Sequence, residues 1–349
     1  MLWEFDHTRA VDLIAMGRVA VDLYAEQIGC SIENAETFRK YLGGCAGNIA
    51  VGTARLGLQT VMFSCVGKDA FGQFIKQELQ REKVDISLVQ ETARHLTGLV
   101  ILGISPPDHF PLIFYREQCA DMQLKKSHIN RDIFATAKAL LITGTGLSTP
   151  DMCEVTHVAV DTARTTQTRI VLDLDYRPVL WNLTEKGDGE SRFKISDKVS
   201  HCYQTILPKC DLIVGTEEEI LIAGQANSLD KALQTIRTFS EAPIVVKKGA
   251  KGSATYFSSA TQPITAHAFS VNILNVLGAG DAFLSGFLRG LLRGESWETA
   301  MLYGNASGAI VVTRHGCAPA MPTFTEIQAL MQQHNQKDLN HVRISCSSS

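Results

Sequence analysis

Apolar positions along this chain fall into two alternating kinds of run. Short continuous runs have the length and β-branched character of buried strands: 11–17, 60–67, 139–143, 169–173, 211–215 and 243–247. Between them lie stretches with helical spacing, over 69–83, 150–164, 192–206 and 228–239. Such alternation predicts a mostly parallel sheet with helices on both faces. Two β-like runs, 97–104 and 111–116, are separated by Pro106-Pro107-Asp108, a hairpin signal. With residues 18–40 they are expected to form a small sheet standing off the main body. The alternating segment Arg18–Tyr24 reads as too polar for a core strand. A further β-rich patch covers 253–270, and a β-like run from Ala266 to Leu274 leads into Gly278-Ala279-Gly280. A helical pattern follows from Asp281, with Phe283, Phe287 and Leu291 on one face, and Trp297–Arg314 reads as a long helix rich in small residues. Lys186–Glu190 reads as a loop. From Gln332 the chain turns polar, and 333–349 is expected to be a frayed tail.

Composition narrows the class. The 349 residues are 45% hydrophobic and 20% charged, with a net charge of −3, a balance that points to neither nucleic acid nor an anionic membrane as partner. No stretch of 18 consecutive apolar residues occurs, and the N-terminus lacks a basic region followed by an apolar one. The expectation is a cytoplasmic protein. Its nine cysteines are scattered without a C-x-x-C pair, as buried thiols in a reducing compartment would be.

Two glycine-rich elements carry the chemistry. Gly278, Ala279 and Gly280 let backbone N–H groups approach a ligand at the positive end of a helix dipole, which makes an anion cradle. Asp281 stands in the first turn, where the same dipole favours a carboxylate. An anion cradle beside a carboxylate suits phosphoryl transfer: one stabilises charge on the moving group, the other accepts the proton of the attacking hydroxyl. Earlier, the Gly43-Gly44 turn opens a helix of small residues carrying Asn48. Neither a dinucleotide G-x-G-x-x-G nor a G-x-x-x-x-G-K-[ST] P-loop is present.

The early Gly43-Gly44-x-x-x-Asn48, the strand–helix alternation and the late Gly278-Ala279-Gly280-Asp281 together resemble the ribokinase-like (PfkB) carbohydrate kinases over residues 10–332. The resemblance implies one kinase domain: a doubly wound sheet, with a small β-sheet lid over about 18–40 and 97–118. It implies phosphorylation of a sugar hydroxyl by ATP with Mg²⁺. Asp281 would be the general base, and the N–H groups of Gly278, Ala279 and Gly280 would hold the transferring phosphate. Asp22, Gly43, Gly44 and Asn48 would bind sugar hydroxyls. Lys248, Gly249 and Gly252 match the nucleotide-side turn, and Asn305 falls at the adenine pocket.

Three stretches are similar to a branch acting on acidic sugars such as 2-keto-3-deoxygluconate and, most closely, 5-dehydro-2-deoxygluconate of myo-inositol breakdown. They are Leu172–Trp181 with Asp175 and Arg177, Phe114–Met122 with Arg116, and Arg39–Asn48. A strand-end guanidinium can grip a carboxylate through two bonds, and Arg116 or Arg177 fits that role. Two positions depart from the family. Asn275-Val276 replaces the Asp-Thr that helps position a monovalent cation, so dependence on one is open. Gly215-Thr-Glu-Glu-Glu219 lacks the Asn of Asn-x-x-Glu, leaving Glu218 or Glu219 to act on Mg²⁺ through water. The alternatives are 2-keto-3-deoxygluconate kinase, another sugar kinase of the family, or a sugar-binding regulator on the same fold. The lid's exposed face suggests pairing into a homodimer.

Overall fold

A computed structural model describes residues 5–106 and 109–334. Among these, the strands in chain order are β1 (Val11–Met16), β2 (Ala20–Ala25), β3 (Phe38–Gly43), β4 (Thr60–Gly67), β5 (Val89–Thr92), β6 (Gly98–Leu102) and β7 (Leu112–Tyr115). They continue with β8 (Ala137–Thr143), β9 (Arg169–Asp173), β10 (Leu212–Thr216), β11 (Ile244–Lys247), β12 (Ser253–Tyr256) and β13 (Ile264–Ala266). The helices are α1 (Cys45–Arg55), α2 (Ala70–Arg81), α3 (Arg131–Ala135), α4 (Pro150–Thr165), α5 (Asp197–Ile206), α6 (Glu217–Ala223), α7 (Leu229–Arg237), α8 (Ala279–Leu292) and α9 (Trp297–Val311).

The main sheet has nine strands in the order β13-β12-β11-β10-β9-β8-β1-β4-β5. It is parallel from β11 through to β5, and its last two strands at the other edge, β12 and β13, run antiparallel. β4 and β8 are buried at every position. Continuous apolar runs of this kind are what a strand covered on both faces requires. One face packs Ile49 of α1, Ile75 of α2, Phe287 of α8 and Met301 of α9. The other packs Val155 of α4, Tyr203 of α5, Ile222 of α6 and Ile236 of α7. The sheet with helices on both faces is as the sequence predicts.

A second sheet, in the order β3-β2-β6-β7, stands over the C-terminal ends of β1 and β8. The expected hairpin joins β6 to β7, with Ser105 bridged to His109, while Pro107 and Asp108 lie outside the described residues. Three local expectations are corrected. Arg18–Tyr24 contains most of β2, an inner strand buried at all but one position. Its polar Asp22 is accommodated because it faces charged groups rather than the apolar core. The β-like run Ala266–Leu274 is strand only as far as Ala266. Asn305 binds the carbonyls of Ala266 and His267, and Leu274 and Asn275 donate to Val312 O, so the segment pairs with α9 and the turn that follows it. The helix expected over 192–206 starts at Asp197. Before it, Asp188 accepts from the backbone and hydroxyl of Ser191 and folds 188–191 into a turn, after which the chain runs without regular structure to Ser196. The expected tail falls almost entirely outside the described residues.

Candidate active site

The helix N-terminus expected at Asp281 begins two residues earlier. Gly278 takes a left-handed conformation (φ 83°) as the N-cap, so Asp281 becomes the third residue of α8. The first-turn N–H groups have no carbonyl within the helix and point outward as an anion site. A side chain is disfavoured at both glycines. A Cβ on Gly278 would lie 2.8 Å from Cys317 Sγ, and one on Gly280 would lie 3.3 Å from Lys247 Nζ. Asn48, in α1, donates its side-chain nitrogen to Asp281 Oδ2 at 2.7 Å. Gly44 caps α1 at φ 88°, and a Cβ there would meet Arg18 O at 2.7 Å. Burial first, and then the Asp175 carboxylate, raise Asp281 above the ordinary carboxylate value.

β2 crosses directly from the end of β1 and lays Asp22 over Gly43, whose missing side chain leaves the space: a Cβ would sit 2.0 Å from Asp22 Oδ2. Asp22 is 5% exposed, and no hydrogen bond from the described residues reaches its carboxylate. Burial pushes it up to about 7; the Arg18 and Arg116 guanidiniums oppose that shift, and Asp281 adds to it.

The strand ends supply the remaining charges. Arg18, following β1, donates to Asp175 Oδ2 at 2.7 Å and to Thr145 Oγ1 at 3.2 Å. Arg177 is half-buried; its Nη1 donates to Tyr176 O at 2.7 Å, while its ion-pair contacts are long, 3.6 Å to Asp175 and 3.5 Å to Glu219. Lys247 Nζ binds Asp173 Oδ1 at 3.0 Å from two strands away. Burial and the neighbouring Glu219 and Asp175 carboxylates push Asp173 upward against the pull of that ammonium. A cavity of about 1230 Å³ opens beside this cluster between the two sheets, lined among others by Arg18, Thr97, Phe114, Arg116 and Thr145.

The structure thus brings Asp22, Gly43, Gly44, Asn48, Asp175, Arg177, Gly278, Ala279, Gly280 and Asp281 together. Others already have partners within the chain. Arg116 is buried in an ion pair with Asp121, which also accepts from Val19 N, so a carboxylate of the chain itself occupies one edge of the guanidinium. Lys248 turns away to the Tyr256 hydroxyl at 3.2 Å, because successive side chains at the end of β11 point to opposite faces; it is Lys247 that reaches the cradle. Gly249 and Gly252 shape the following turn with positive φ. Asn305 spends its side-chain N–H groups on Ala266 and His267. Between the two glutamates, Glu218 is exposed, whereas Glu219 is buried and accepts from Thr216 N at 2.8 Å and Tyr176 N at 3.0 Å. The Thr216-x-x-Glu219 capping box was the sequence signal that could have chosen between them. Arg18, Thr145, Asp173 and Lys247 were missed. Only the order β1-β8-β9-β10-β11 makes them neighbours.

Residues 11–324 match the model of the pfkB family carbohydrate kinases. The 5-dehydro-2-deoxygluconokinase of Geobacillus kaustophilus (strain HTA426) is 34% identical over 335 residues, covering 95% of this chain and 96% of the relative. The enzyme of the same name from Listeria monocytogenes serotype 4a is 36% identical over 328 residues, covering 93% and 97%. A fructokinase with bound ATP from Xylella fastidiosa superposes with a TM-score of 0.79 at 22% identity, covering 93% of this chain and 99% of the other.

Proposed function

We propose, from the premise that this chain belongs to the pfkB family of carbohydrate kinases, that it transfers the γ-phosphoryl group of ATP to the primary hydroxyl of 5-dehydro-2-deoxy-D-gluconate, giving the 6-phosphate. The observation that carries the reading is Asp281 in the first turn of α8, hydrogen-bonded to Asn48, with Lys247 beside Gly280. Asp281 takes the proton of the attacking hydroxyl late in the transfer. The N–H groups of Gly278, Ala279 and Gly280 and the Lys247 ammonium lower the energy of charge building on the transferred group. Asp22 and Asn48 hold sugar hydroxyls over Gly43 and Gly44. Arg177 takes the substrate carboxylate: Nη1 is held by Tyr176 O, while Nη2 has only a 3.6 Å contact to Asp175 and, with Nε, is left for a planar partner. Arg116 supports that end of the cleft through Asp121.

Magnesium fits this site through water. Glu219 already receives two backbone N–H groups and Cys45 is too soft a donor, so phosphates and waters would form most of the coordination sphere, with Glu219 ordering a water. When bound, the ion neutralises phosphate charge. A cytoplasmic setting, where Mg·ATP is abundant, is part of this reading; the family activity and the ordinary composition support it. Among the described residues no helix is long and apolar enough to cross a membrane. The second sheet closes over the sugar and pairs with that of a second copy; Phe38 and Tyr115, on its two edge strands, are 36% and 57% exposed.

ADP release with Mg·ATP against 5-dehydro-2-deoxygluconate, 2-keto-3-deoxygluconate, fructose, ribose and adenosine tests the reading. Preference for the first supports it. Preference for another sugar removes the assignment of the Arg177 end, and no turnover with any of them by folded protein removes the substrate class.

A further inference from the structure

Residues 183–194 join the second sheet to the end of the cleft that holds Arg177, a connection that no motif in the sequence showed. At one end, Tyr176, buried between Asp175 and Arg177, donates its hydroxyl to Lys194 O at 2.5 Å. Lys194 in turn donates its ammonium to Leu183 O, which closes the segment into a loop. At the other end, Gly189 N donates to Leu112 O of β7 at 3.1 Å, and Glu190 accepts from Phe110 N at 2.7 Å. The approach to β7 is close. A Cβ on Gly189 would lie 2.3 Å from Leu112 O, so a residue with a side chain could not lie there.

Both ends reach residues of the sugar site. Phe110 and Leu112 pack with Tyr24, Val100 and Leu102 on one face of the second sheet. Asp22 shares that face, since it pairs with Val100 while Tyr24 pairs with Leu102. At the other end every polar group of Tyr176 is engaged. Its N–H donates to Glu219 Oε1 at 3.0 Å, its carbonyl accepts from Arg177 Nη1 at 2.7 Å, and its hydroxyl holds the segment. Asp175, just before it, has a left-handed φ of 33°, which a residue with a side chain keeps only where its surroundings hold it. Arg18 grips the Asp175 carboxylate at 2.7 Å, and the three bonds of Tyr176 fix the backbone that follows.

We propose that residues 183–194 are a strap with Tyr176 as the positioning residue at its end. The strap sets the Arg177 guanidinium by the position of the second sheet, so that the grip on the substrate carboxylate and the cover over the sugar hydroxyls form together. The β3–β2 side of that sheet is held elsewhere, by His315, which bonds Tyr41 at 3.0 Å and Ala25 O at 3.2 Å. The β7 side is fastened instead to the residue that holds Arg177, and displacing it pulls on Tyr176. The use made of the strap rests on the reading of Arg177 as the carboxylate's ligand; the strap itself rests on the bonds at its two ends.

Kinetics and amide exchange of the full chain test the two parts separately. Tyr176→Phe removes one hydroxyl, and Glu190→Ala removes the acceptor at the opposite end. Each should raise the KM for 5-dehydro-2-deoxygluconate about fivefold, with kcat and the KM for Mg·ATP within about twofold. Glu190→Gln keeps the acceptor and should stay near the parent. The double variant of Tyr176→Phe with Glu190→Ala should cost about as much as one alone, because either substitution frees the strap. A product of the two effects, about twenty-five-fold, would mean that they act independently and would overturn the proposal. An equal rise in both KM values would reduce Tyr176 to a structural residue and overturn it too. In the ligand-free protein, Tyr176→Phe should speed exchange at the Gly189 and Phe110 amides about tenfold. Faster exchange confined to the neighbours of Tyr176 would show that no strap exists. If the parent turns over no sugar acid, the reading of Arg177 falls, and the exchange result still decides the strap.

Discussion

The two ends of the main sheet bury similar charges and treat them oppositely. At the N-terminal end, Asp12 of β1 receives Lys138 Nζ at 2.7 Å, Gln59 N at 2.8 Å and Arg293 at 3.4 Å, while Arg9 donates to Ala137 O and Thr166 O. Every charge there has a partner at hydrogen-bond distance. At the C-terminal end, no hydrogen bond from the described residues reaches the Asp22 carboxylate, Asp281 is pushed above its ordinary value, and Arg177 has only long ion pairs. Lys138 and Asp12 have side chains 5% and 4% exposed, against 8% and 2% for Arg18 and Asp175, so depth of burial does not separate the two ends. What separates them is unmet electrostatic demand, which a folded chain keeps only where a ligand will answer it.

The contrast is tested most severely at Asp281. Asp281→Asn should lower kcat about a thousandfold while leaving sugar affinity within a fewfold, because the amide keeps the hydrogen-bonding shape and loses the base. Near-parental turnover would show that the charge at this end is not used. In the parent, kcat should fall on the acid side at a pH above the ordinary carboxylate range, because Asp281 must be deprotonated to act and its value is raised. Lys138→Met is the counterpart at the other end. It leaves Asp12 buried without its ammonium and should cost about 3 kcal/mol of stability, read by denaturant unfolding, with kcat unchanged within about twofold. A large kcat loss in folded Lys138→Met would mean that the paired end also serves catalysis.

How far the sequence could be read follows the same division. Gly278 to Asp281 and Gly43 to Asn48 were legible because a cradle and its helix are local, written in consecutive residues. The parallel sheet was legible because strands covered on both faces must be apolar along their whole length. Lys247 and Arg18 were not. Each owes its place to strand order, with Lys247 reaching Asp173 across β10 and Arg18 reaching Asp175 across β8. Arg116 shows the converse. Its motif was visible, but its partner Asp121, five residues on, became evident only when the turn after β7 folded back.

Lys247→Met sharpens the contrast from inside the site. It should lower kcat about a hundredfold with the KM for sugar within about threefold, since the ammonium acts on charge that grows during transfer. Stability should suffer less than in Lys138→Met. Burial already pushes Asp173 upward, so the abandoned carboxyl can take a proton. Lys247→Arg should restore most of the rate; failure to do so would point to packing rather than charge.

The smallest effect is expected at Asp22, where the sign of a pH dependence decides. Its folded value is about 7 against an ordinary 3.8. Between those limits the folded chain binds more protons than the unfolded one, so this residue's contribution to stability declines as pH rises through the window, and the full penalty stands above it. Asp22→Asn carries no charge at any pH. It should match the parent near pH 4.5 and exceed it near pH 8 by about 1 kcal/mol, a modest amount because the cleft admits water to the carboxylate. Thermal melts of the ligand-free proteins across that range measure the gap. A gap that stays constant with pH, or that favours the parent at pH 8, would mean that Asp22 is satisfied in the resting protein. The C-terminal end would then be no more demanding at this position than the end that holds Asp12.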